Sequence, residues 1–149
     1  MVVKMNKVER KKIISWAMYD WANSAYSTTV MAGFFPLFFK AYWADPNNPS
    51  ESTYILGLSN SIGSVVVALL APFLGAIADR AGAKKKFLAI FAFLGIVMTG
   101  ALWMVREGQW MLAVWIYALA AIGFSSSNLF YDSLLTVIAS KNKVDYVSA

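Results

Sequence analysis

The 149-residue chain has no cysteine and no histidine, and only 14% of its residues are charged. Without cysteine there is no disulfide scaffold. Without either residue there is no zinc site of the usual Cys/His kind and no histidine-based catalytic triad. No metal or other cofactor is expected. Soluble domains carry about 25% charged residues, so the scarcity of charge argues against one. The chain is instead 59% hydrophobic, with a mean hydropathy of +0.57. That composition reads as an integral membrane protein.

The net charge is +5 and the pI about 9.5. Basic proteins can bind nucleic acid. Here the basic residues sit in short loops between apolar runs, so membrane topology accounts for them and no nucleic-acid partner is expected.

A membrane-crossing helix needs ~20 mostly apolar residues. Four runs qualify, at about 13–43, 54–78, 87–105 and 110–139. The expected fold class is therefore all-α integral membrane, one membrane domain over residues 1–149 with four transmembrane helices. The longest connection, "ADPNNPSEST", has the Pro, Asn and Ser of a surface loop. "KVERKK" would serve as the basic region of a signal peptide, but the run behind it is broken by Asp20 and Asn23 and then continues too long. An uncleaved first span is expected.

Orientation follows from the basic residues. Lys4, Lys7, Arg10, Lys11 and Lys12, then Arg80, Lys84, Lys85 and Lys86, then Lys141 and Lys143 all fall on one side, 11 of the 13 basic residues. Only Lys40 and Arg106 fall on the other. Both termini are expected in the cytoplasm, in a multi-pass protein of the plasma (inner) membrane if the cell is bacterial. Trp16, Tyr19 and Trp21 would mark the inner interface, and Tyr42, Trp43, Trp103 and Trp110 the outer one.

The four helices differ in character. In the first, Trp16, Asp20, Asn23, Ser24, Ser27 and Met31 recur at helical spacing and share a face. In the second, Ser64, Ala68, Ala71 and Gly75 form a small-residue stripe against which another backbone could pack. The third, "FLAIFAFLGIVMTGALWMV", has almost no polar side chain and would tolerate lipid all round. The fourth turns polar at "GFSSSNLFYDS", with Ser125, Asn128 and Asp132 on one face. Pro36 and Pro72 lie inside spans and tend to bend them.

Asp20 and Asp132 each lie about seven residues inside a span, ~10 Å deep at 1.5 Å per residue. Two readings stand for Asp20. It could be the N-cap of a helix that begins there. Alternatively Asp20, Asn23, Ser24 and Ser27 face Ser125, Asn128 and Asp132 across a wet cavity that binds a polar solute, with an aspartate carrying a coupling proton. The cap reading suits Asp132 less well, because a carboxylate near a helix C-terminus opposes the dipole and needs a cation such as Lys141 or Arg80.

Between the second and third spans stands "GAIADRAGAKKK". Gly75 allows close helix contact, Gly82 a sharp turn, and Asp79 a pairing with a helix N-terminus or a cation. With Arg80, Lys84 and Lys85, these residues resemble the signature loop of the major facilitator superfamily, G-x-x-x-D-R-x-G-x-K/R-K/R, at the place where that superfamily carries it. "YDWANSAYSTTVMAGFFPLFF" and "FYDSLLTVIAS" followed by "DYVSA" resemble its vacuole-effluxer-like branch, whose yeast members are linked to release of amino acids from the vacuole. The resemblance implies that the first and fourth helices line a central cavity and that the loop is a conformational latch against a second half. Members have about twelve helices in two halves of six, so the chain would be an N-terminal portion. Its partners would be the bilayer, a small solute, protons as coupling ion and the missing C-terminal half. Asp79 would then lack its partner in this chain, and its loop would be mobile.

The expected function is thus part of a secondary active transporter for a small polar solute, amino acids among the candidates, working by alternating access. The rival is a self-contained four-helix membrane protein, either an oligomeric small transporter or a structural or assembly subunit. An intramembrane enzyme would have to work with two aspartates and no histidine or cysteine. No enzymatic activity is expected.

Overall fold

The computed structural model describes residues 7–44, 48–81 and 83–138. Gly82 and the tail lysines Lys141 and Lys143 lie outside them, as does the side chain of Arg80. The described chain is almost entirely helical. Helix one is built in segments. Helix α1 (Lys7–Ala25) passes without a break into a π-helical stretch (Tyr26–Phe34), a short α2 (Phe35–Phe38) and a second π-helical stretch (Phe39–Trp43). The widening begins upstream of Pro36, which has no N–H for the ladder and whose ring clashes with the carbonyl four residues back. The hydroxyls of Ser27 and Thr28 both donate to the Ser24 carbonyl, at 3.0 and 2.9 Å, a pattern that itself bends helices.

Helix α3 (Pro49–Ala81) starts on a compact cap: Asn48 precedes Pro49 and bonds the Glu51 side chain at 2.8 Å. It runs on through Pro72. Helix α4 (Lys84–Ala101) ends in a 3₁₀ turn (Leu102–Met104). Gly108, at φ +75°, makes the turn into α5 (Trp110–Ile138), a conformation that glycine adopts without strain.

Helix α5 is the hub. It packs most extensively on α4, then on α3, and more narrowly on helix one. At the α4–α5 crossing the backbones nearly touch: a Cβ on Gly123 would lie 2.7 Å from the Gly95 nitrogen and 2.8 Å from the Phe91 carbonyl oxygen. Phe87 and Phe91 stack on Phe130 along the same seam. The third apolar run is therefore not free for lipid all round, because one face is covered by α5. The small-residue stripe on α3 is the converse case. Ser64 and Ala68 are exposed, and a Cβ on Gly75 would meet nothing within 4 Å. Close packing of small residues occurs instead at Gly95 and Gly123.

Among the described residues, three helices are long and apolar enough to cross a membrane: Ser50–Ala76, Lys84–Met104 and Trp110–Leu134. Their uncovered faces carry Leu58, Ile62, Val65, Leu69 and Phe73 on α3 and Ile90, Phe93 and Ile96 on α4. A bilayer suits such surfaces and water does not. Helix one is not one of the three: its first segment starts with charged residues, and its apolar part is divided into short segments.

Candidate functional site

Two polar faces meet within these apolar helices. Asn23 of α1 donates from Nδ2 to Oδ1 of Asn128 on α5 at 2.6 Å. One turn further along helix one, the Tyr26 hydroxyl and Thr99 Oγ1 of α4 lie 2.9 Å apart. Towards the N-terminus, Tyr131 of α5 is sandwiched by stacking against Trp16 and Tyr19, with centroids at 4.6 and 4.8 Å. Its hydroxyl donates to the Trp16 carbonyl at 3.2 Å. Polar side chains of this kind join helices where lipid can satisfy no hydrogen bond.

Asp20 lies in the middle of α1, thirteen residues after Lys7, so it is not an N-cap. It and Asp132 are both exposed. The two carboxyls are near enough for their charges to interact, and both act on Tyr131. Asn23 and Asn128 are in direct contact rather than across water. Ser24 is exposed and lends its carbonyl to Ser27 and Thr28. Ser27 and Ser125 line one cleft of about 420 Å³ between helix one, α3 and α5. A second cleft, of about 370 Å³, opens between α1, α4 and α5 beside Tyr19, Asn23 and Tyr26. Its walls are mainly Ala92, Gly95, Ile96 and Phe124, so it offers little to a polar solute.

The polar cleft also takes Asn60 and Ser64 from α3 and the buried Tyr117 from α5. Asn60 and Tyr117 were not among the expected site residues, and Ser64 was expected only to pack. The signal was present in "SNSIGS": an asparagine ten residues into a span is a functional candidate by depth alone.

The loop between α3 and α4 holds an ion pair. Lys84 Nζ lies 2.6 Å from Asp79 Oδ1, with Asp79 64% exposed. Asp79 is thus partnered within its own motif. The reason lies in α4, which begins with Lys84, Lys85 and Lys86 and has no side-chain cap at Ala83. Cations oppose the dipole at a helix N-terminus, and a nearby carboxylate relieves that. Lys85 is exposed, and Gly75 lies one turn before Asp79 on α3.

Residues 42–146 match the family model described as vacuole effluxer Atg22 like. The chain belongs to the vacuole effluxer Atg22-like family. It is 40% identical over 146 residues to the uncharacterized MFS-type transporter YxiO of Bacillus subtilis (strain 168), an alignment covering 97% of this chain and 34% of that protein. It is 30% identical over 132 residues to an uncharacterized protein of Aquifex aeolicus (strain VF5), covering 87% of this chain and 32% of that protein. No solved structure matches. The chain thus spans about a third of the length of the curated relatives it matches. Membership of the Atg22-like family makes it a major facilitator chain. Its relative is named a transporter, and nothing in either comparison points to catalysis.

Proposed function

We propose that this chain is part of the first half of a secondary active transporter that moves a small polar solute, amino acids foremost, by alternating access. Helix one crosses the membrane as a fourth span. Both termini lie in the cytoplasm and the 44–53 loop lies outside. The observation that carries the reading is the Asn23–Asn128 bond together with the cleft that Ser27 and Ser125 share; Asp20, Ser24 and Asp132 are assigned to the same pathway. Two interacting carboxyls without a cation partner among the described residues suit a site that takes up and releases a proton. Rocking of two halves around such a midplane site is the general mode of these transporters. The Gly75, Asp79, Arg80, Gly82, Lys84 and Lys85 loop acts as the latch against the second half, at the inner membrane surface.

The test is uptake by the full-length protein in proteoliposomes, with a panel of amino acids and imposed pH or sodium gradients. Asp20→Asn is expected to abolish proton-driven accumulation and to leave solute exchange intact. Undiminished accumulation in that variant would remove Asp20 from the coupling path.

A further inference from the structure

The serines and the asparagine in the middle of α3 differ in what their side chains need. Ser59, Ser61 and Ser64 each donate to the carbonyl four residues back, on Ile55, Gly57 and Asn60, at 2.7, 2.9 and 2.9 Å. A serine hydroxyl used like this needs nothing outside its own helix. The Asn60 amide is different. It has two N–H donors and an oxygen with two acceptor sites, and it lines the same cleft as the Tyr117 side chain of α5. Asn60 is exposed and lies ten residues beyond Ser50, the start of a candidate span. At 1.5 Å per residue that is ~15 Å inside. Lipid at that depth offers an amide no partner.

What Asn60 faces is the cleft of about 420 Å³ bounded by helix one, α3 and α5. Ser27 and Ser125 approach it from the other two helices, and among the described residues no charged side chain lines it. A cleft of this kind disfavours a charged group, which would be desolvated without a counter-charge. It suits a group that donates and accepts hydrogen bonds and carries no charge.

We infer that this cleft is a specificity site, in which the Asn60 amide and the Tyr117 hydroxyl together read an uncharged amide or hydroxyl group on the solute. The identity of the solute rests on the transport reading above; the cleft and its chemistry do not. Asp20 and Asp132 do not line it, so solute recognition and proton coupling fall to different side chains.

Two experiments on the full-length protein test this. In a version free of other cysteines, Asn60→Cys in native membranes is expected to react readily with a small cationic methanethiosulfonate. Ile62→Cys, exposed on the opposite side of the same helix, is expected to react slowly. Slow reaction at position 60 overturns the inference whatever the protein transports. The second experiment compares uptake of glutamine with uptake of norleucine, which matches its length and lacks the amide. Asn60→Leu is expected to lower the glutamine-to-norleucine ratio about tenfold, the size of one hydrogen bond lost. Tyr117→Phe is expected to lower it less, and Ser61→Ala to leave it unchanged. An unchanged ratio in both Asn60→Leu and Tyr117→Phe overturns the assignment even if position 60 is wet. A wild-type protein that moves no amino acid overturns the amino-acid reading instead, while the labelling result still decides the cleft.

Discussion

Helix one is fastened to α5 at both ends, by different means. Near the 44–53 loop, Phe35 stacks on Tyr117 with centroids 3.7 Å apart, and Phe35, Phe39 and Trp43 are 1%, 0% and 2% exposed. The Trp43 indole N–H donates to the Val105 carbonyl at 3.2 Å, and the Gly108 N–H to the Tyr42 carbonyl at 3.3 Å. At the other end the fastening is the Tyr131 stack and the Asn23–Asn128 bond, beside two exposed carboxyls. The π-helical stretch Tyr26–Phe34 between them has no buried residue. Both ends hold stacked rings, which cannot be exchanged for water without loss, but only the second adds a side-chain amide–amide bond, which can be. One end of helix one is thus densely packed and the other is held in part by a bond that water can replace, an asymmetry that the proposed rocking of two halves could use.

The largest expected effect comes from breaking the densely packed end. Phe35→Ala removes the ring that Tyr117, Phe39 and Trp43 pack around. Truncations of buried Phe cost ~3–5 kcal/mol. Unfolding of the purified protein in mixed micelles should show a loss of that order. A loss below ~1 kcal/mol would mean that this end is no tighter than the other.

The seam behind both ends is the next target. Gly123→Ala would set a methyl carbon 2.7 Å from the Gly95 nitrogen and 2.8 Å from the Phe91 carbonyl oxygen. Backbone atoms cannot swing aside, so α4 and α5 must separate. Overpacking of this kind costs ~1–3 kcal/mol. The reverse substitution is a sharp control. A Cβ on Gly95 would meet its nearest atoms, the Ala120 oxygen and the Phe124 nitrogen, at 3.5 Å, an ordinary contact. Gly95→Ala should therefore be near neutral in the same assay, although the two glycines face each other.

That asymmetry also marks the limit of what the chain's letters disclose. The all-helical membrane fold was legible because long apolar runs with few charges have few other solutions. The Asn23–Asn128 contact was legible in part, because each stands at helical spacing from other polar residues, although the sequence pointed to a wet cavity between them and not to a direct bond. Which face of "FLAIFAFLGIVMTGALWMV" is covered was not, because every face reads apolar. The choice is made by Ala120 and Gly123 on the partner helix, where small size admits the α4 backbone. The α3 stripe misled for the same reason: small residues permit close approach but do not compel it. Asn60 was masked by its serine neighbours, which look equally polar in sequence but return their hydroxyls to their own helix.

At the amide–amide bond the expected effect is smaller. A double-mutant cycle on Asn23→Leu and Asn128→Leu should give a coupling of ~0.6 kcal/mol, typical of side-chain hydrogen bonds between membrane helices. A coupling above ~2 kcal/mol would make this end as firmly held as the first.

The smallest effect on stability belongs to Asp79. Its partner Lys84 is 23% exposed and Asp79 itself 64%, so water and salt screen most of their attraction. Exposed pairs are worth ~0–1 kcal/mol, and the relief of three lysines at the start of α4 adds only a fraction of that. Asp79→Asn should therefore leave folding and expression of the full-length protein nearly unchanged. Transport separates two roles for the same carboxylate. If Asp79 only steadies the α4 N-terminus, uptake should fall no further than expression does, and Lys84→Gln should match it. If it is also part of the latch, Asp79→Asn should cut uptake well below its expression level, and further than Lys84→Gln does. We expect the second pattern, because more than half of the Asp79 side chain is open to a partner beyond Lys84.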